Sequence, residues 1–270
     1  MASAPDGIRA HIHPGLAPYG SIEDGTDEEI AAAEAWLKSH GCTHARGPLG
    51  PSTWHSYRAI IESNGRPSFL GEPSFTPDVW KARGYTPCAH YASALADNLE
   101  QAASAAERAS TLMNAGWDIR PLDAHRDFQS ALACFYGIST TAFTAAFAYT
   151  PLPFPEFQAL YSPIEPLLDP RMVLTAYDPS GEAAGFCFSI PDRLHPEQKA
   201  FIIKTLAVLP KYRQAGIGSG LVGMCHRVAH ELGWVAGGIH ALMWTGSHSQ
   251  SISKHAGTVF RRYALYEKAL

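Results

Sequence analysis

The sequence predicts an α/β protein in which helices flank a β-sheet, and three observations support this fold class. Apolar residues recur at helical spacing in stretches such as residues 126–143, where Phe128, Leu132 and Phe135 share one face. Short apolar runs such as "FIIKTLAV" (201–208) have the character of strands. Turns rich in glycine and proline separate the two kinds of segment. Of the 270 residues 46% are hydrophobic, which is enough for a sizeable core.

The first half of the chain is predicted to begin with an irregular arm over residues 1–25, because that stretch is rich in Gly, Pro and Ala. The pattern "TDEE" predicts a capping box between Thr26 and Glu29, and the helix that it opens should end at Gly41. The next elements, in order, are a strand in 42–49, a loop region with one short helix around 54–62, a short helix in 77–84, a strand in 85–95 and a helix over 97–115.

The second half renews the pattern and is predicted to hold more strands than the first. Its elements, in order, are a strand in 116–123, the helix of 126–143, an irregular aromatic and proline-rich segment over 151–170, a strand–turn–strand unit in 172–190, a strand in 199–210 and a helix in 221–233. A strand, a short helix and a terminal strand in 258–270 complete the chain. The aromatic and proline-rich composition of the segment 151–170 is typical of a segment that lines one side of a pocket.

Composition and charge exclude several classes of protein. A formal net charge of −4 argues against general phosphate-backbone binding, so no nucleic-acid partner is expected. Five cysteines without a CxxC pair indicate free thiols in a reducing compartment. No apolar run is long enough to span a bilayer and the N-terminus has no signal pattern, so we expect a soluble, cytoplasmic protein without a membrane partner. Thirteen histidines fall in no metal-ligand spacing, so no metal is expected.

The stretch "LPKYRQAGIGSG" (209–220) has the features of an anion-binding turn between a strand and a helix. A helix N-terminus presents free amides and a partial positive charge. The missing side chains of Gly216 and Gly218 let a pyrophosphate reach those amides, Arg213 adds a full charge, and Ser219 adds a hydroxyl. A dinucleotide-binding loop fits less well because the third glycine falls one place early, and a P-loop lacks its lysine. A tight strand–helix turn that binds no ligand is the remaining alternative interpretation.

The order of these elements resembles the GCN5-related N-acetyltransferase (GNAT) superfamily. The resemblance rests on V-x-P-x-x-R-x-x-G-x-G, in which Arg213, Gly216 and Gly218 carry the family's R/Q-x-x-G-x-G/A segment. It covers roughly residues 116–270 and is specific over 201–233. It implies a mixed, mostly antiparallel sheet flanked by helices.

The resemblance also implies where acetyl-CoA, as acyl donor and co-substrate, would bind. The pyrophosphate would lie on the loop amides, and the pantetheine arm would pair with the exposed edge of the preceding strand like an added strand. The residues that it implies for cofactor binding are Leu206, Ala207, Val208, Arg213, Gln214, Ala215, Gly216, Ile217, Gly218, Ser219, Ser249 and Ser253.

Catalytic residues follow less directly from the resemblance, because two family features are absent. The amide of Val208 is the candidate for oxyanion stabilisation. Ser253 stands where the family has a tyrosine that protonates the leaving thiolate, so Tyr263 or Tyr266 are further candidates for that acid. The strand 201–208 lacks the family's glutamate, which leaves His240 or water as the general base.

Other polar residues are interpreted as structural. Cys225 fits the apolar face of the helix that follows the loop. His255 is a weaker candidate than His240 and is expected to be solvated. Glu165, Asp169 and Tyr161 could face a cationic acceptor, but an ordinary polar loop is the preferred interpretation.

The chain is predicted to divide into a degenerate GNAT-like unit (1–96), a connector helix (97–115) and a catalytic GNAT domain (116–270). A faint echo between "AEAWLKSHGCTHARG" and "CHRVAHELGWVAGGIHA" supports the degenerate unit, although a chance match of helix–strand order explains it equally well.

The implied activity is that of an acyl-CoA-dependent N-acyltransferase on a small-molecule amine, by direct transfer in a ternary complex. Two alternatives stay open. One is an acyltransferase that takes its acyl group from a carrier-protein thioester or an aminoacyl-tRNA, and the other is a non-catalytic CoA-binding module. The terminal strand could also pair in a homodimer.

Overall fold

The computed structural model describes residues 2–5, 7–13, 18–97, 99–234, 236–245, 247, 252–253 and 257–270. The helices of this part of the chain are α1 (Asp27–Ser39), α2 (Asp78–Ala82), α3 (Leu99–Asn114), α4 (Phe128–Ala142), α5 (Phe154–Tyr161) and α6 (Ile217–Glu231). Its strands are β1 (Ala2–Ser3), β2 (Ala10–Ile12), β3 (Tyr19–Ile22), β4 (His44–Gly47), β5 (Ala59–Ser63), β6 (Thr86–Ala96), β7 (Asp118–Pro121), β8 (Val173–Tyr177), β9 (Ala183–Pro191), β10 (Phe201–Val208), β11 (Gly238–Trp244) and β12 (Thr258–Ala269).

These strands form one continuous mixed sheet. Its order is β1-β2-β3-β4-β12-β6-β11-β10-β9-β8-β7, and β5 also pairs with β12. Within the described ranges only β3 with β4 and β10 with β11 run parallel, and the other neighbours are antiparallel. The predicted fold class, a mostly antiparallel sheet flanked by helices, is therefore confirmed.

The two halves of the chain exchange strands at the middle of the sheet. β6, from the first half, lies between β11 and β12 of the second half. β12, which ends the chain, pairs with β4 and β5 of the first half. Because backbone hydrogen bonds run through this exchange, neither half completes its own sheet alone. The proposed boundaries at 96 and 115 stay a prediction.

Helices cover both faces of the sheet around β9, and side-chain alternation along the strands supplies both cores. On one face α4 and α5 pack on Phe186 and Phe188 of β9. On the opposite face α3 and α6 pack on Cys187 of β9, between those two phenylalanines in the sequence. The connector helix α3 lies along α6, so closely that a Cβ on Gly220 would lie 2.7 Å from Cδ1 of Leu112.

Three predicted segments were wrong. The arm 1–25 contains β1, β2 and β3, because β3 finds a parallel partner in β4. The short helix around 54–62 is instead a turn followed by β5, since β12 from the far end of the chain pairs with residues 59–63. The irregular segment 151–170 holds α5, which Pro153 and Pro155 permit because proline is tolerated in the first turn of a helix.

The start and the end of α1 follow the predicted signals. Glu29 N–H donates to the Thr26 hydroxyl and the Glu29 carboxylate accepts from Thr26 N–H, which confirms the capping box. Gly41 takes a left-handed conformation with φ +84° just beyond the helix. All five cysteines are free. Over the described residues, no helix is both long and apolar enough to cross a membrane.

The same glycine-to-alanine change should have opposite effects at two sites. Gly238→Ala puts a Cβ 2.6 Å from both Cε1 of His226 and Cζ of Phe201, two buried rings. Overpacking of this kind costs about 1–3 kcal/mol. Gly137→Ala, inside α4, meets no atom within 4 Å and should stabilise by about 0.5–1 kcal/mol through helix propensity. Thermal unfolding of both variants checks this, and a stable Gly238→Ala protein would contradict the packing described.

Candidate functional site

The central feature of the site is a split between β10 and β11. The two strands pair in parallel only at Phe201–Ile203 with Gly238–His240. Beyond that point β10 continues to Val208 beside β9 alone, and β11 continues to Trp244 beside β6 alone. The split therefore opens toward the carboxyl ends of both strands.

Each strand carries an irregularity where the split begins. The register of β10 shifts between Ile203 and Thr205, and that of β11 shifts between His240 and Met243. Leu242, within the second shift, has φ +56°, a left-handed conformation that is uncommon for a residue with a side chain. Because bulges bend the strand that carries them, these two irregularities account for the divergence.

Peptide groups of β10 point into the split without a strand partner. Val208 lies opposite Gly185, and the next amide, Leu209 N–H, donates to Ala184 O at 2.8 Å. In an antiparallel ladder, the residue next to such a hydrogen-bonded pair turns its N–H and C=O away from the partner strand. The N–H and C=O of Val208, and those of Leu206 two residues earlier, therefore point away from β9. No strand of the described ranges pairs with this edge of residues 204–208.

The split leads to the N-terminus of α6. A 3₁₀ turn over Pro210–Ala215 ends at Gly216, which has φ +81°, and the helix starts at Ile217. The N-cap supplies no side-chain hydrogen bond and the first turn has no acidic residue. The first helical bond runs from Gly220 N–H to Gly216 O at 3.0 Å, so the amides of residues 217–219 have no helical acceptor. Such an end attracts anions.

Three cations surround this turn, and they differ in what they contact. Lys211 forms a 2.6 Å ion pair with Glu182. Arg213 is exposed and donates from Nη2 to Ala142 O, at the end of α4, at 2.7 Å. Arg108 of α3 lies over Gly216, where a Cβ would lie 3.3 Å from its Cδ. Sequence reasoning missed Arg108, because only the packing of α3 along α6 brings it to the turn.

Residues of the predicted site converge at the base of the turn. A Cβ on Gly218 would lie 3.2 Å from Cδ1 of Ile252, 3.7 Å from Leu206 and 3.8 Å from Val208. Ser253, next to Ile252, is 2% exposed, and its Oγ has no hydrogen-bond partner among the described residues. Other residues that the sequence predicts to bind acetyl-CoA are placed as follows. Gln214 and Ala215 are exposed on the turn, Ser219 is half-buried, and Ala207 is buried on the α4 face. Ser249 and His255 lie outside the described residues.

His240 lies in the core rather than at the split. Its Nε2 is 2.9 Å from Nε2 of His226 on α6, and both side chains are buried. Burial lowers the pKa of His226 to about 3 and that of His240 to about 4, so both rings are neutral at pH 7. One neutral ring donates and the other accepts. This pairing is an obstacle to the role of His240 as a base.

Neither predicted tyrosine opens to the split. Tyr263 is fully buried, its O–H donates to the Glu72 carboxylate, and its Oη lies 3.1 Å from Ser93 Oγ. Tyr266 is buried in a core cluster of the first half with Trp80 and Tyr85. Burial raises the pKa of both phenols.

The polar residues of 151–170 agree with an ordinary structural role. Asp169 forms a 2.7 Å ion pair with Arg171. Tyr161 is buried, and its Oη lies 3.5 Å from Thr205 Oγ1 of β10. Cys225 is on the buried face of α6, with its Sγ 2.9 Å from Ser189 Oγ.

An open cleft of about 450 Å³ lies beside the turn, on the side of α4. Ile138 and Thr141 of α4 face Leu209 and Pro210 across it. Its lining includes none of the predicted site residues. Among the described residues no three His, Cys, Asp or Glu side chains are grouped so as to hold a metal ion.

Comparison with known proteins agrees with this geometry. Residues 134–253 match the acetyltransferase (GNAT) family. This match to the GNAT family lies in the second half of the chain and includes α6 with the turn before it. No curated protein matches the chain in sequence.

Solved structures share the fold over most of the chain. A GCN5-related N-acetyltransferase from Sphaerobacter thermophilus has a TM-score of 0.55 at 15% identity, over 90% of this chain and 67% of that one. A GCN5-related glucosamine N-acetyltransferase region of a fungal multi-domain β-N-acetylglucosaminidase has a TM-score of 0.55 at 12% identity, over 93% of this chain and 30% of that one. A tandem GNAT protein of the clavulanic acid pathway has a TM-score of 0.50 at 12% identity, over 94% and 76%.

The buried histidine pair predicts a pH dependence of stability. Both folded-state pKa values lie below the ordinary 6.5, so between pH 6.5 and about 4 the unfolded chain binds protons that the folded protein does not. The free energy of unfolding should therefore be nearly constant above about pH 7.5 and fall by about 3–4 kcal/mol on acidification to pH 5, about 2 kcal/mol for each histidine. Urea unfolding at several pH values measures this.

A double variant isolates the pair. His226→Leu with His240→Leu removes both partners, and the loss between pH 6.5 and 5 should shrink. His230→Gln, on the exposed side of α6, is the control and should keep the wild-type profile. An unchanged slope in the double variant would assign the pH dependence to other groups.

Proposed function

We propose that the protein is an acyl-CoA-dependent N-acyltransferase that uses acetyl-CoA and acts on a small-molecule amine by direct transfer in a ternary complex. The observation that carries the proposal is the split between β10 and β11. Its unpaired peptide groups at Leu206 and Val208 lead directly to the free amides of α6. This arrangement offers one continuous surface to a thioester arm and the diphosphate attached to it.

The residues present fit that donor along its length. The amides of residues 217–219 can bind the pyrophosphate, with Arg108 and Arg213 adding positive charge at the same end. The N–H and C=O of Leu206 and Val208 can pair with the amides of the pantetheine arm as a further strand would. The unpartnered Oγ of Ser253 offers a hydrogen bond in this region.

Transfer forms a bond from the amine nitrogen to the acyl carbon and breaks the carbon–sulfur bond. The amide of Val208 points into the split, where it can stabilise the negative charge that develops on the carbonyl oxygen. The amine loses a proton to water and the thiolate gains one from water, while the Ser253 hydroxyl can donate a hydrogen bond to the sulfur. We assign no step to His240, Tyr263 or Tyr266, because each is held by hydrogen bonds or packing inside the core.

A negative charge on the turn should weaken donor binding without changing the fold. Gln214 is exposed, so Gln214→Glu changes the charge beside the free amides and little else. We expect affinity for acetyl-CoA to fall about five- to tenfold, as for a like charge at a partly screened site. Gln129→Glu, exposed on α4, makes the same charge change as a control.

Thermal unfolding with acetyl-CoA, and with ATP and NADH for comparison, provides the measurement. Saturation at about a hundred times the dissociation constant adds about 2.7 kcal/mol, or about 5–10 °C in Tm for a chain of this size. Stabilisation by acetyl-CoA that is weakened in Gln214→Glu but not in Gln129→Glu supports the site. No stabilisation of the wild type by millimolar acetyl-CoA would refute the proposed function.

Arg108 should contribute to the same binding step although it lies outside the family match. Arg108→Ala removes the guanidinium over Gly216 and keeps good helix propensity in α3. We expect the dissociation constant for acetyl-CoA to rise about three- to tenfold, with a weaker dependence on salt. Calorimetric titration measures both, with Arg227→Ala on the exposed side of α6 as control. An unchanged dissociation constant would remove Arg108 from the donor site.

A further inference from the structure

Arg58, in the first half of the chain, holds the wall of the split. Its Nη1 donates to Leu242 O at 2.7 Å, at the irregular point of β11. Both residues are left-handed without being glycine, Arg58 with φ +74° and Leu242 with φ +56°. Backbone strain of this kind persists where the surroundings enforce it, and it is frequent at binding sites.

The guanidinium of Arg58 is buried without a counter-ion. Only 4% of the residue is exposed, and no carboxylate of the described residues forms an ion pair with it. Its Cζ lies 3.6 Å from the ring centre of Tyr57 and 4.2 Å from that of Tyr91. Its Nε, fully buried, has no hydrogen-bond partner in the described part of the chain.

Other buried arginines of this protein show that the pattern is unusual here. Arg46 is also buried and stacked on a ring, that of Tyr19, but it forms a 2.7 Å ion pair with Glu267. Arg261 is buried and forms a 2.7 Å ion pair with Glu72. An arginine keeps its charge at any physiological pH, and a buried charge without a partner is costly. An anion from outside the chain would satisfy Arg58.

A second cation without a counter-ion stands on the opposite rim of the split. Lys204 lies at the shift of register in β10, one residue beyond the last pair with β11. It is exposed, its Nζ lies 4.8 Å from the ring centre of Tyr161, and no carboxylate of the described residues forms an ion pair with it. Both cations lie on the face covered by α4 and α5, since Tyr161 and Leu242 pack there.

We infer that the amine acceptor carries a carboxylate, which binds to Arg58 at the Leu242 wall, while its amino group meets the thioester at Val208. This inference rests on the proposed function and adds the class of acceptor, an amino acid or a similar amino-carboxylate. Arg58 is 4% exposed and contacts Leu242 O and the Tyr57 ring, so the carboxylate reaches the guanidinium only if neighbouring side chains shift. Lys204 attracts the anion at the entrance. Arginine suits this task because its planar fork matches a carboxylate.

The first test measures binding and needs no known substrate. The protein, both alone and saturated with CoA, is titrated with succinate, with its uncharged diamide succinamide and with inorganic phosphate, at constant ionic strength, and thermal unfolding is followed. We expect succinate to stabilise the wild type and succinamide to have no effect. Phosphate that protects better than succinate would overturn the carboxylate assignment in favour of a phosphorylated acceptor.

Two variants attribute the effect to Arg58. In Arg58→Met the response to succinate should weaken at least tenfold, whereas Arg46→Met, the matched loss of a buried stacked arginine, should keep it. Lys204→Gln, at an exposed position that cannot disturb the core, should weaken the response to succinate severalfold. It replaces Arg58→Met as the test if that variant does not fold. Wild-type succinate protection retained in both Arg58→Met and Lys204→Gln would overturn the inference, as would no protection of the wild type.

The second test measures turnover with matched acceptors, amino acids against their carboxamides, such as β-alanine against β-alaninamide. We expect the wild type to prefer the carboxylate by tenfold or more in kcat/KM, and Arg58→Met to lose that preference through KM. A preference for the carboxamides would overturn the inference. Failure of the proposed function is seen separately, as no protection by acetyl-CoA, and leaves the succinate result to decide the anion site.

Discussion

The structure depends on one interruption in an otherwise continuous ladder of backbone hydrogen bonds. Buried peptide groups require partners, so a sheet that opens in its interior is unfavourable unless other groups satisfy the exposed edges. Between β10 and β11 the interruption is held by the irregular residue Leu242, whose N–H donates to Ser93 Oγ at 3.0 Å and whose C=O accepts from Arg58. The other edge, at Leu206 and Val208, is left for a ligand. The split is thus fixed on one side by side chains and available for recognition on the other.

The first half of the chain supplies the groups that fix the split, and this gives it a role that extension of the sheet alone would not explain. Ser93 belongs to β6 and Arg58 precedes β5, so both reach β11 because of the strand exchange at the middle of the sheet. Without β6, β11 would have no described strand partner beyond His240, and the edge of the split that faces β10 would lose its shape.

Sequence reasoning reached those features that depend on neighbouring residues and missed those that depend on distant ones. The capping box of α1, the glycine turn before α6 and the alternating strands β8 to β10 are local patterns, and they were predicted. β5 was mistaken for a helix because its partner, β12, lies about two hundred residues away. Arg108 reaches the turn only through helix packing, and the burial of His240 follows from its contact with His226 across two elements. A family pattern named the residues of the phosphate turn, but it could not show which polar side chains are enclosed.

The hydrogen-bond direction around Tyr263 shows why a phenol near the split need not be its acid. Leu242 N–H can only donate, so Ser93 Oγ accepts there. Because the Tyr263 hydrogen is directed to the Glu72 carboxylate, which can only accept, the Ser93 hydrogen goes to Tyr263 Oη. The phenol hydrogen then goes to the Glu72 carboxylate, whose second oxygen accepts from Arg261 at 2.7 Å. Each hydrogen bond then has one possible direction, and this series of hydrogen bonds runs away from the split toward a buried ion pair. Tyr263 has no proton to offer a leaving thiolate without leaving Glu72 unpaired, which is costly for a buried carboxylate. Its place in this series of hydrogen bonds makes Tyr263 a positioning residue. Through Ser93 it fixes the position of Leu242, and hence the width of the split.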